Sequence, residues 1–232
     1  MQRVPVIDAS KCTYCGRCHE YCHYNAIFIL PPARYIQVIE DLCHGCGACL
    51  VACNDNAITE KEVPLGQVTH FRIAENAKLI EARMKTGVFS PVSVIKAAIR
   101  EANGTDLVIM DAPPGTSCPF IQTVDKADFV VLVTEPTPFG LSDLQQSVQT
   151  LRHMNKSMGV IINRAGLGND AVHEWLQQEG IPLLLEIPFD KQIAAAYSNG
   201  RLIAQEQPEM EEAFAALFDT ILEHHGNSHH QR

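Results

Sequence analysis

Eight of the nine cysteines fall between residues 12 and 53. Residues 12–27 read C-T-Y-C-G-R-C-H-E-Y-C-H-Y-N-A-I, and residues 43–58 read C-H-G-C-G-A-C-L-V-A-C-N-D-N-A-I. Both are C-x2-C-x2-C-x3-C followed by x2-N-A-I, the second copy starting 31 residues after the first (Cys12 to Cys43). The segment is therefore an internal duplication. A disulfide framework would suit a secreted chain, but the opening Met1-Gln2-Arg3-Val4-Pro5 leads straight into a short Val6-Ile7 run with no secretory h-region. Thiols clustered at short, regular spacing in such a chain read as metal ligands. Each copy offers three thiolates on a tight loop and a fourth at the start of a short helix-like turn. Gly16, Gly45 and Gly47 let that loop curl close to the bound group without a Cβ in the way.

The spacing is that of bacterial ferredoxins, in which the fourth cysteine ligates the other cluster. That resemblance implies two [4Fe–4S] clusters. One is held by Cys12, Cys15, Cys18 and Cys53, the other by Cys43, Cys46, Cys49 and Cys22. Such a swap ties the two copies into one unit that should unfold without its metal. Zinc sites usually pair two C-x2-C units across a longer loop, so the triple followed by x3-C favours iron and sulfide. The run departs from the usual C-P ending: His23 follows Cys22 and Asn54 follows Cys53. Both positions thereby regain an N–H that proline lacks. The expected consequence is a potential above the ~−400 mV scale of low-potential ferredoxins; the alternative is a pair of tolerated surface substitutions.

The rest of the chain must position these ligands or use them. At 232 residues there is room for a real core. A net charge of −9 argues against a nucleic-acid-binding face. No apolar run is long enough for a membrane span, so a cytoplasmic protein is expected. From about residue 63 the texture changes. The runs at 106–111, 129–134, 159–162 and 183–187 read as strands buried on both faces. Helices are expected between them: from Ser90-Pro91 to Asn103-Gly104, from Ser142 with Gln145 as a capping box, from about Asp170 to Gly180, and from Pro208. Trp175 reads as a core residue of the third. Alternating strands and helices make an α/β domain with a mostly parallel sheet flanked by helices, beside a small α+β ferredoxin-like domain. The division is expected at 1–62 and 63–232.

Two loops follow strands, where open α/β sheets place their ligands. One is D-A-P-P-G-T-S-C from Asp111 to Cys118, and the other begins T-E-P-T-P-F-G at Thr134. Together with V-I-I-N-R (160–164) and I-P-F-D (187–190), these motifs resemble, in order, the MinD/ParA-type (deviant Walker) ATPases carrying an inserted ferredoxin domain. The resemblance implies a P-loop NTPase-like domain in which Asp111 is the Walker B carboxylate for Mg2+, and Asn163 and Pro188 lie beside the adenine of ATP. Cys118 is expected to be a buried structural thiol beside that site. The His-rich tail (His224, His225, His229, His230) is expected to be a polar, disordered terminus.

The family's phosphate loop is not found: no G-x-x-x-x-G-K-[ST] pattern occurs in the 232 residues. Without its amide nest, lysine and magnesium ligand, these residues alone are not expected to hydrolyse ATP. They also lack a strand to cover the edge of 129–134. Three explanations compete: a start upstream of Met1, pairing with a P-loop-containing paralogue that supplies the missing element, or a sheet that has closed up; a homodimer is the other pairing considered. Three functions follow as expectations. The clusters pass electrons under the control of a nucleotide-binding domain, which closed ligand quartets favour. Or the chain is an assembly or carrier factor that delivers iron–sulfur or metal cofactor to a client metalloprotein. Or the clusters are structural or redox-sensing in a regulatory scaffold.

Overall fold

The computed structural model describes residues 1–88, 90–102 and 104–229, with side chains as far as 223. The chain forms two compact units, Met1–Ile109 and Met110–Arg232.

In the first unit the duplication is visible as structure. Copy one runs β1 (Gln2–Ile7), α1 (Arg17–Glu20) and β2 (Ile27–Leu30); copy two runs β3 (Tyr35–Val38), α2 (Ala48–Ala52) and β4 (Ile58–Val63). The strands pair across the copies rather than within them. β1 lies antiparallel to β4 with Ile7 opposite Ile58, and β2 lies antiparallel to β3 with Ile27 opposite Val38. The repeated N-A-I has a physical reason at each letter. Asn25 and Asn56 hold left-handed backbone at φ 52° and 50°, a region asparagine tolerates better than most side chains. Ala26 and Ala57 are buried, and their carbonyls accept from Ile39 N–H and Asp8 N–H, both at 2.8 Å. Ile27 packs with Cys18 and Cys49 into a small core closed by Ile7, Ile36 and Ile58.

A hairpin follows, β5 (Gly66–Ala74) and β6 (Ala77–Met84), with α3 (Val92–Glu101) after it. The helix starts where Ser90-Pro91 predicts, with Ser90 Oγ accepting from Val92 N–H; Asn103 lies outside the described residues.

The second unit holds α4 (Cys118–Val124), β7 (Phe129–Thr134), α5 (Pro138–His153), β8 (Ser157–Ala165), α6 (Ala171–Glu179) and β9 (Leu183–Pro188), then α7 (Lys191–Ser198), α8 (Ile203–Glu206) and α9 (Pro208–His229). β7, β8 and β9 form a parallel sheet in that order. β8 is central, so Gly159–Ile162 are buried without interruption. Val160 and Ile162 pack against Leu144 and Val148 of α5 and Val172 and Leu176 of α6, with Trp175 alongside. On a second cluster, Phe120 and Val124 of α4 meet Val130 and Leu151. No helix among the described residues is long and apolar enough to cross a membrane.

Four expectations are corrected. Residues 106–111 do not form a strand: an apolar run becomes one only beside a partner for its backbone groups, and among the described residues β7 pairs with β8 alone. Leu107, Val108 and Ile109 are exposed, and so is Val133 on β7. α5 begins at Pro138 rather than Ser142, because Thr137 caps it by accepting from Gly140 N–H at 3.0 Å and Pro138 is preorganised for the first helical position. Cys118 is exposed at the start of α4 rather than buried. Finally, the backbone of α9 continues as helix to His229, while His230 and the side chains of His224, His225 and His229 lie outside the described residues.

Candidate metal centre

Each cysteine loop leaves a strand, reverses at a glycine and enters a one-turn helix. Gly16 and Gly47 stand before α1 and α2 at φ 84° and 74°. The third cysteine of each run, Cys18 or Cys49, is inside the helix and buried, and the fourth, Cys22 or Cys53, follows at its C-terminal end. The helix-like turn is thus real, but it carries the third ligand, not the fourth. Gly45 has a reason beyond conformation: a Cβ there would stand 2.9 Å from the Arg3 carbonyl oxygen on β1. Its counterpart Tyr14 takes the same left-handed turn at φ 55° without glycine's freedom, with the Arg34 guanidinium 5.2 Å from its ring centroid.

The tertiary fold brings Cys53 of the second copy to the first three cysteines of the first. Cys12, Cys15, Cys18 and Cys53 line a single cavity together with Tyr14 and Ile29. On the other side, burial above all raises Cys43 and Cys49, with smaller contributions from Cys22 and Cys46 beside Cys43, and from Cys43 and Cys22 beside Cys49. Backbone N–H groups point at the sulfurs: Tyr14 to Cys12 and Gly45 to Cys43, each at 3.4 Å, and Ala26 to Cys22 at 3.3 Å. Burial pushes the Cys18 and Cys43 thiols up and takes Cys49 from 9.0 to about 11. Cys15 moves the other way, because the Arg17 side chain donates to its sulfur at 3.5 Å.

This donor set suits a four-iron cluster: four soft sulfur ligands around one space, N–H donors on the sulfurs, and apolar walls. Among the described residues, no three His, Cys, Asp or Glu side chains converge closely enough to hold a single ion.

In the second unit the C-terminal ends of the parallel strands form the edge at which open α/β sheets place their ligands. Register places Asn163 of β8 opposite Ile187, and Ala165 opposite Pro188 of β9, so Asn163 and Pro188 come to the same edge on adjacent strands. Asn163 Oδ1 accepts from Arg164 N–H at 3.0 Å, and Arg164 pairs with Glu135 at 3.3 Å. Asp111 is exposed at the end of the unpaired run. Sequence reading passed over Arg17 and the Tyr14–Arg34 contact; setting the two copies against each other position by position is the signal that finds Arg17, since Ala48 stands at its place.

Comparison with known proteins agrees with this geometry. The family model ParA, described as NUBPL iron-transfer P-loop NTPase, matches residues 92–224. The 4Fe-4S binding domain model matches residues 5–28 and 36–59. The uncharacterized protein MJ0579 of Methanocaldococcus jannaschii is 29% identical over 199 residues, 85% of this chain and 67% of that one. The iron-sulfur cluster carrier protein of Aquifex aeolicus is 30% identical over 127 residues, 48% of this chain and 35% of the carrier, so the chain spans about a third of that protein's length. Among solved structures, the ParA family ATPase of Chlorobium tepidum superposes with a TM-score of 0.52 at 18% identity, over 64% of each chain. A MinD/ParA-type fold behind a doubled iron–sulfur motif, matched by sequence over more than half its length, makes the chain a member of the ParA family of NUBPL-type iron-transfer P-loop NTPases with 4Fe-4S binding domains.

Proposed function

We propose that this protein is an iron–sulfur cluster assembly or carrier factor, with residues 1–62 holding the clusters and residues 63–232 forming the nucleotide-responsive part that engages a client metalloprotein. The observation that carries it is the cavity lined by Cys12, Cys15, Cys18 and Cys53, with Cys22 and Cys46 beside Cys43 across the duplication, in a chain of an iron-transfer family; we take Cys43/Cys46/Cys49/Cys22 as the second quartet. Bound [4Fe–4S] groups supply one-electron chemistry when resident, or are themselves the cargo. The protein's own part is physical. Eight sulfurs supply the bonds, and backbone N–H groups hold those sulfurs in place. The raised thiols of Cys18, Cys43 and Cys49 give up protons as metal arrives, so loading releases acid. Cys15 and Cys46 are exposed and are the sulfurs an incoming acceptor thiolate would reach first.

ATP with Mg2+ would lie at the C-terminal strand edge, against Asn163 and Pro188 with Asp111 as the acidic partner, when a phosphate loop reaches it from a paralogue or a further segment. A second reading is electron transfer: four thiols per site leave no open position, which suits a resident redox centre better than a labile one.

The test is cluster lability in the anaerobically loaded chain. A carrier gives up its iron to an apo-ferredoxin faster than to a chelator, and nucleotide alters the rate once a protein carrying a phosphate loop is added. An electron carrier keeps its iron under the same treatment while its visible absorbance bleaches and recovers with dithionite and oxidant. Retention of all iron in both assays, with or without nucleotide, would sink the carrier reading.

A further inference from the structure

Cysteine for cysteine, the two sites are copies; their surroundings are not. The 31-residue offset sets Arg17 against Ala48, Thr13 against His44, and Asp55 against Tyr24. At the first site these residues form one polar chain. Arg17 Nε donates to Cys15 Sγ at 3.5 Å, its Nη2 lies 4.0 Å from Asp55 Oδ2, and that oxygen accepts from Thr13 Oγ1 at 2.8 Å. At the second site the same places hold an aromatic clasp, Tyr24 stacked on His44 with centroids 3.7 Å apart and planes 6° from parallel. Ala48 offers no donor there.

Electrons added to a cluster spread over its sulfur ligands, so donors and positive charge at those sulfurs stabilise the reduced form. Two neutral bonds cancel between the sites, Tyr14 N–H to Cys12 and Gly45 N–H to Cys43. Further neutral donors stand at both sites, the Thr13 hydroxyl and Arg17 N–H at Cys15 and His19 N–H at Cys18 on the first, the Gln2 side chain at Cys43, Ala26 N–H at Cys22 and Leu50 N–H at Cys49 on the second, and the Arg17 guanidinium is the charged donor among them. A charge-assisted bond is roughly twice as strong as a neutral one, so the guanidinium decides the sign. The Asp55 carboxylate is occupied by Thr13 and Arg17 and anchors the guanidinium beside the sulfur.

We propose that the two sites are unequal in redox poise, and that Arg17 makes the Cys12/Cys15/Cys18/Cys53 site the one where an added electron settles. The proposal rests on the quartets holding clusters as described above. One electron from a low-potential donor (dithionite in the test) reduces one site. Exchange within the chain then oxidises the second site by one electron and reduces the first by one, with no proton transferred. Arg17 is a positioning residue in this scheme, since it acts through Cys15.

The test uses the full chain, loaded anaerobically and shown by iron and acid-labile sulfide analysis to carry both [4Fe–4S] centres, then titrated potentiometrically with EPR detection. Two one-electron steps are expected, separated by at least a tenfold preference, about 59 mV for a one-electron couple. Arg17→Gln should lower the upper step and leave the other in place; Ala48→Arg should raise the lower step. Thus each variant identifies its own site. A loaded wild-type chain with one unresolved step overturns the proposal, as does an Arg17→Gln variant whose separation is unchanged. If Arg17→Gln loses iron, Ala48→Arg decides alone, and an unmoved lower step overturns the proposal. A wild-type chain that never holds two centres overturns the ligand reading, and this inference with it.

Discussion

Cys49 shows what the fold asks of a single ligand. It is buried in α2, and desolvation pushes its thiol from 9.0 to about 11. In an iron-free chain the unfolded thiol ionises first as pH rises, while the folded one still holds its proton. The stability this provides is complete below pH 9 and lost as pH climbs towards 11, roughly 2 kcal/mol for this one group. Cys18 and Cys43, also raised by burial, act in the same direction. Urea midpoints of the iron-free chain should therefore fall between about pH 8 and about pH 10.5; a flat midpoint across that window would contradict the burial. Asn56 makes a second residue-scale case. Its left-handed backbone, φ 50°, directs the chain from Cys53 to the buried Ala57. Asn56→Val should cost about 1–2 kcal/mol, because a β-branched side chain crowds that conformation, and Asn56→Gly should be nearly neutral by comparison in the same melts.

Elements bring these residues together by pairing across the duplication. Because β1 joins β4 and β2 joins β3, the Cys12 loop is held against the end of the second copy, which is where Cys53 lies. Neither copy alone could close a site. In the second unit the edge loops depend on one close approach. Gly168, at φ 83°, leaves no room for a Cβ, which would fall 1.9 Å from the Pro136 carbonyl oxygen. Gly168→Ala should separate the loop after β8 from the loop after β7, costing about 2–3 kcal/mol by steric and backbone strain. Thermal denaturation checks this, and a melting temperature equal to wild type would mean the loops are not packed as described.

At the scale of the molecule, the cluster-binding half has a core of few residues around Cys18, Ile27 and Cys49. A core that small leans on its metal. Anaerobic chelation should leave the β1–β4 and β2–β3 pairing only marginally stable while β7, β8 and β9, packed on Val160 and Ile162, persist unchanged. Hydrogen exchange followed peptide by peptide would report both at once. Protection retained in residues 1–63 after all iron is gone would show that the cysteine loops fold on their own. The preference for electron transfer that closed quartets suggest is balanced at this scale by the family match over 92–224, which favours assembly or carriage.

The cysteine spacing, by itself, determined the duplication, and through the ferredoxin resemblance it implied the crossed ligand sets, because ligand chemistry is local and tolerates few spacings. The apolar runs and end signals further along the sequence likewise determined β7, β8, β9, α6 and α9. Cys118 and the run at 106–111 were misread, since burial and strand pairing depend on what the rest of the chain places beside them. The β5–β6 hairpin was missed, although Glu75-Asn76 between two alternating runs was there to be read. The sequence shows that the copies differ at Arg17 and Ala48, Thr13 and His44, Asp55 and Tyr24; only the tertiary structure decided which of these residues meet across the copies. Arg17 meets Asp55, and Tyr24 meets His44, because the strands swap partners, and no spacing along the chain records that exchange.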